Sequence, residues 1–99
     1  MNINIQAVNF NATERLQEYI NKKINKLYKV HDDILNVDVY LKVVKPETAL
    51  NKEVQIKIAV PNVEFFASKI CDSFEEATDL SVDALDKQLK KHKEKNMGK

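Results

Sequence analysis

Between Asn2 and Val8 the chain alternates Ile3, Ile5 and Ala7 with Asn2, Asn4 and Gln6, the period of two that gives a strand one buried face. From about Thr13 to Val30 the period changes. Leu16, Ile20, Ile24 and Leu27 recur at steps of four and three, the stripe of an amphipathic helix, with Asn11 or Thr13 available to cap it. Alternation then returns three times: Val37, Val39, Leu41 and Val43; Val54, Ile56, Ile58 and Val60; Val63, Phe65 and Ala67. A polar loop from Lys45 to Lys52 containing Pro46 separates the first two of these strands, and Pro61 and Asn62 suit the central positions of a tight turn between the last two. Ser73 and Glu76 form a capping-box pair, behind which Phe74, Thr78, Ser81, Leu85 and Leu89 fall on one helical face, so a second helix is predicted to about Lys95.

The order is strand, helix, three strands, helix. A helix between the first two strands permits a right-handed parallel crossover, and the short later connections suit antiparallel hairpins. Each strand has one strongly apolar face, and both helices need that face to bury their own stripes. The predicted fold is α+β, a two-layer βαβββα sandwich: a four-stranded, mostly antiparallel sheet with both helices on one face and the other face open. Residues 1–95 read as a single domain and 96–99 as a frayed tail.

Composition narrows the function classes. The chain has 99 residues, 43% hydrophobic and 31% charged, enough for one small core. Its longest apolar run is three residues, which leaves no membrane span and no secretory core, so a cytoplasmic protein with no membrane partner is expected. One cysteine, Cys71, and no paired Cys/His ligand spacing predict neither an intrachain disulfide nor a metal site. The single glycine, Gly98, lies near the end of the chain, so no glycine loop can cradle a phosphate. No cofactor and no small-molecule substrate are expected.

The net charge of +1 hides a strong segregation. On the first helix Arg15, Lys22, Lys26 and Lys29 fall within an arc of about 60° opposite the apolar stripe, flanked by Lys23. The second helix divides along its length: Asp72 to Asp86 holds six acids and no base, whereas Lys87 to Lys99 holds six lysines and one acid, Glu94. Lys87, Lys90, Lys91 and Lys95 span an arc of about 140° directed away from Leu85 and Leu89. Acids at a helix start and lysines at its end complement the macrodipole, which accounts for part of this pattern. The surplus fits a phosphate backbone, a solvated face or an acidic protein partner.

Three residues could carry chemistry, and none has a catalytic partner legible in the sequence. His31 precedes Asp32 and Asp33 but also follows the first helix, where a histidine meets the negative end of the dipole. His92 lies among lysines and reads as a surface or RNA-facing residue. Cys71 reads as a small buried hydrophobe. Tyr40 and Phe66 fall out of phase with the core positions of their strands, and the expectation for them is a cross-strand pair covering the open sheet face.

The run Asp83-Ala84-Leu85-Asp86-Lys87-Gln88-Leu89-Lys90-Lys91-His92-Lys93-Glu94-Lys95 resembles the last helix of the ribosome hibernation promoting factors, also called ribosome-associated inhibitors or sigma-54 modulation proteins. Asn2-Ile3-Asn4-Ile5, the helix ending Lys22-Lys23-Ile24-Asn25-Lys26-Leu27, and Phe65-Phe66-Ala67-Ser68 are similar to that family's first strand, first helix and fourth strand. The resemblance covers essentially the whole chain and is most specific in Lys87 to Lys93. It implies a non-enzymatic factor, expressed under stress or in stationary phase, that binds 16S rRNA of the small ribosomal subunit over the mRNA and tRNA channel, across the A and P sites. Such a factor inhibits translation and stores idle ribosomes.

By the same resemblance the RNA-contacting positions are Lys23 and Lys26 in the first helix and Lys87, Lys90, Lys91, Lys93 and Lys95 in the second, to which the basic ridge adds Lys22 and Lys29. Ala84 stands where relatives often carry a basic residue, and Lys87 where they carry arginine. A lysine there keeps charge but loses two-pronged hydrogen bonding. Ending at Lys99, the chain looks like the family's short form, which works beside a ribosome modulation factor where one exists. Other readings are a double-stranded RNA-binding domain, whose last helix would start with lysines where this chain has Asp72-Ser73-Phe74-Glu75-Glu76, and a non-ribosomal protein adaptor.

Overall fold

A computed structural model describes residues 2–8, 10–44 and 50–97, without the side chains of 95–97. The strand alternation at the start becomes β1 (Asn2–Ala7), and the amphipathic stripe becomes α1 (Glu14–Val30). Thr13 caps α1, its hydroxyl accepting from the Leu16 amide at 3.1 Å. Three strands follow: β2 (Asn36–Val43), β3 (Lys52–Val60) and β4 (Val63–Cys71). The last element, α2 (Phe74–Met97), opens where the capping pair predicts, with the Ser73 hydroxyl accepting from the Glu76 amide at 3.1 Å. Within the loop expected from Lys45 to Lys52, residues 45–49 lie outside the described residues, as do 98–99 of the expected tail.

The four strands form one sheet in the order β1-β2-β3-β4. β1 and β2 are parallel, joined through α1, whereas β2/β3 and β3/β4 are antiparallel. Pro61 and Asn62 form the two-residue turn between β3 and β4, and Asn62 takes a positive φ of 71°, which asparagine tolerates well. Both helices cover the same sheet face. Ile20, Ile24, Val37, Val39, Leu41, Val54, Ile56, Ile58 and Leu85 are completely buried between the layers. Each such side chain contributes roughly 1.5–3 kcal/mol relative to exposure. Ala77, Thr78 and Ser81 are also buried on α2, and their small side chains let that helix approach β3 and β4 closely.

The opposite sheet face is open, and Tyr40 and Phe66 are exposed on it. They are not a cross-strand pair. The sheet order puts β3 between their strands, and Tyr40 is in register with Gln55 and Ser68, while Phe66 is in register with Lys57 and Asp38. Each aromatic thus has a polar residue, not the other ring, as its register partner on β3. Phase along a strand reveals the face a residue occupies, but pairing depends on strand order, which the phase does not carry.

Candidate nucleic-acid interface

The sandwich holds α1 and α2 side by side, so the residues opposite their buried stripes face the same solvent. On α1, Lys22, Lys26 and Lys29 are exposed; on α2, Lys87 and Lys91 are exposed. None of these five forms an ion pair or hydrogen bond among the described residues. With Arg15, likewise exposed and unpaired on α1, they constitute the free cationic surface of the helical layer among the described residues.

Lys23, Lys90 and Lys93 are differently placed. Lys23 is half-buried, 3.1 Å from Asp79 of α2 and 5.8 Å from the centroid of the Tyr19 ring. The Tyr19 hydroxyl donates to the same carboxylate at 2.7 and 2.8 Å, and this bond, with burial second, pushes the phenol up to about 12. Lys90 is exposed but pairs with Asp86 one turn earlier at 3.1 Å. Lys93 donates to the carbonyl of Val30 at 3.4 Å, at the C-terminal end of α1 where the helix leaves carbonyls unsatisfied. The side chain of Lys95 lies outside the described residues. Of the nine lysines expected at the interface, five stand free and three tie one helix to the other or to itself.

The acidic half of α2 thereby acquires a second role besides complementing its dipole. Asp79 and Asp86 lie seven residues apart, about 20° on the helical wheel, and both face α1. Asp86 meets Nε2 of His31 at 2.8 Å, and His31 is 1% exposed. Burial raises the Asp86 carboxyl, but hydrogen bonds from His31 and Lys90 outweigh it and hold the group below its ordinary value. His31 does end α1, as expected, its amide bonded to the Leu27 carbonyl at 2.9 Å. Its carboxylate partner comes from α2 and is neither Asp32 nor Asp33. Sequence reasoning missed these contacts, although a signal existed: two acids seven apart on the flank of an apolar stripe face a neighbouring element.

Between the helices Lys23 and Lys26 form one wall of a cleft of about 210 Å³, with Asp83 and Asp86 on the other. Acids in this seam disfavour a phosphate between the helices, so a polyanion is best accommodated along the outer crests. The remaining chemically capable residues are occupied structurally. Cys71 is buried, and desolvation pushes its thiol up, away from the nucleophilic thiolate. His92 packs edge-on against Phe65, ring centroids 5.4 Å apart. Among the described residues no group of His, Cys, Asp and Glu could hold a metal ion, and no helix is long and apolar enough to cross a membrane.

The family model described as sigma 54 modulation protein / S30EA ribosomal protein matches residues 3–97. The chain belongs to this family. The ribosome hibernation promoting factor of Pseudomonas putida is 35% identical over 95 residues, covering 96% of this chain and 89% of that protein. The corresponding factor of Azotobacter vinelandii is 33% identical over 97 residues, covering 98% and 87%. Among solved structures, a ribosomal subunit interface protein from Coxiella burnetii superimposes with a TM-score of 0.84 at 25% identity, covering 94% of this chain and 98% of that one. The βαβββα sandwich is thus shared with that solved protein at the backbone level.

Proposed function

We propose that this chain is a ribosome hibernation factor of the cytoplasm that binds the small ribosomal subunit through 16S rRNA, over the mRNA and tRNA channel across the A and P sites. The observation that carries this reading is the set of unpaired outward lysines, Lys22, Lys26 and Lys29 beside Lys87 and Lys91, on adjacent helices of a hibernation-family fold. Lysine ammonium groups meeting phosphates release condensed counterions, which supplies affinity without base recognition. The domain inhibits by occupying space that mRNA and the tRNA anticodon stem require, and it holds idle ribosomes inactive with no reaction step. Lys23, Lys90 and Lys93 support the surface by fixing the helices.

A double-stranded RNA-binding mode is disfavoured by the exposed Glu75 and Glu76 at the start of α2, the end such domains present to phosphates. The testing experiment is co-sedimentation of the purified chain with small subunits, large subunits and free tRNA. Retention with small subunits that falls steeply as salt rises is the expected result. Equal retention on both subunits, or none on either, overturns the proposal.

A further inference from the structure

Along the flank of α2 turned away from α1 runs a groove of about 660 Å³ lined by Phe65, Gln88, Lys91, His92 and Glu94. Gln88 lies about 160° around the helix from Asp86, which faces α1, so this groove is separate from the seam between the helices. Its aromatic wall is the Phe65–His92 pair, with ring planes inclined at 71°. Lys91 belongs both to this groove and to the free cationic surface, with Lys87 one turn before it. A ligand held by these lysines through an anionic group therefore has an apolar, aromatic recess immediately beside it.

We propose that this groove is a slot for one unstacked RNA base, whose flanking phosphates are held by Lys87 and Lys91. The inference rests on the RNA-binding reading above and extends it from phosphate contact to base contact. Three features define the occupant. A flat base fits against the face of one ring of this edge-on pair, as in single-strand recognition where bases lie against aromatic side chains. The polar groups at the rim favour amino-bearing bases: the Gln88 amide nitrogen donates to the Phe66 carbonyl at 3.3 Å, leaving its oxygen as an acceptor, and the Glu94 carboxylate lines the same groove farther along the helix. Glu94 also keeps the phosphates out of the recess and on the lysine side.

The same hydrogen bond argues against a peptide. β4 is an edge strand, and a peptide would dock there by adding a strand. Val60 and Val63 flank the two-residue turn as a bonded pair, so the alternation of an antiparallel ladder leaves Phe66, opposite Lys57, with its carbonyl aimed outward. That carbonyl is taken by Gln88. The edge is thus closed where the groove meets it, while the recess above it stays open to a ring.

The test is nuclear magnetic resonance on the full chain, titrated with pentaadenylate and with the same sugar–phosphate backbone carrying no bases. The expected result is movement of the Phe65 and His92 ring signals and the Gln88 amide with pentaadenylate alone, and affinity for the abasic backbone about 10-fold lower. Phe65→Leu, checked for folding by thermal unfolding, is expected to lower pentaadenylate affinity to the abasic level. It should leave unchanged the slope of affinity against salt, because the phosphate contacts remain. Shifts confined to Lys87 and Lys91 with equal affinities overturn the slot, as does pentaadenylate that fails to bind while small subunits are retained. An apolar extended heptapeptide that moves the ring signals when RNA does not overturns it in favour of a peptide site. Failure of the wild type to bind small subunits is the separate failure of the proposed function, and the slot falls with it.

Discussion

At Asp86 a desolvation cost and two hydrogen bonds act in opposite directions, and the hydrogen bonds win, so the folded carboxyl sits below its ordinary value. A depressed folded value contributes stability that is present above the unfolded carboxylate range, about 3.9, and is lost as pH falls through the folded value. Urea midpoints measured from pH 5 down to pH 2.5 are therefore expected to fall, and less steeply in Asp86→Asn. At neutral pH, Asp86→Ala strands the buried His31 and is expected to cost about 1–3 kcal/mol. Tyr19 has the opposite sign: its raised value means that the bond to Asp79 stabilises the fold below pH 10 and is lost as pH rises through about 12. Ultraviolet titration should show one phenol ionising near 12, and Asp79→Ala should bring it back toward 10. The pairing of Lys23 with Asp79 gives a further expectation. Lys26→Gln lowers the slope of log affinity against log salt by about one, whereas Lys23→Gln barely changes it.

Among elements, α2 divides its labour by face: Asp79, Asp86 and Lys93, spaced by seven, meet α1 and its cap, whereas Lys87 and Lys91 stand outward. Both lysines are exposed, and surface substitutions of this kind typically change stability by no more than about 0.5 kcal/mol. Lys87→Glu with Lys91→Glu is therefore expected to keep the thermal unfolding midpoint within a few degrees while abolishing retention on small subunits. A folded double variant that still pellets with the subunits would remove α2 from the contact surface. The elements themselves were legible because each rests on a local signal, such as the period of Leu16, Ile20, Ile24 and Leu27 or the caps at Thr13 and Ser73. The outward direction of Lys22, Lys26, Lys29, Lys87 and Lys91 followed from the same periods. What escaped were relations between elements: the engagement of Lys23 and Lys93, the His31–Asp86 contact, and the separation of Tyr40 from Phe66. Each depends on which element lies beside which, and a helical wheel or a strand phase contains one element only.

For the whole molecule, the arrangement of charge determines the kind of inhibition to expect. A formal charge of +1 gives little long-range attraction to a ribosome, so binding must come from the local concentration of cations on the two helical crests. The sheet face behind them is open and polar over much of its area, with Asn2, Asn4, Gln6, Asn36 and Lys42 on its β1 and β2 strands. In the mode proposed above, one side of the sandwich lies on rRNA while the rest fills the channel as a rigid body, held by a core whose central side chains are fully buried. Inhibition by volume is competitive and reversible. In a translation reaction at fixed protein concentration, preloading small subunits with mRNA and initiator tRNA is expected to delay inhibition, and raising both should restore initiation. The Lys87→Glu, Lys91→Glu variant should not inhibit under any order of addition. Inhibition independent of the amount of mRNA and tRNA, or rRNA cleaved or modified during the assay, would show that the domain acts by something other than occupying the channel.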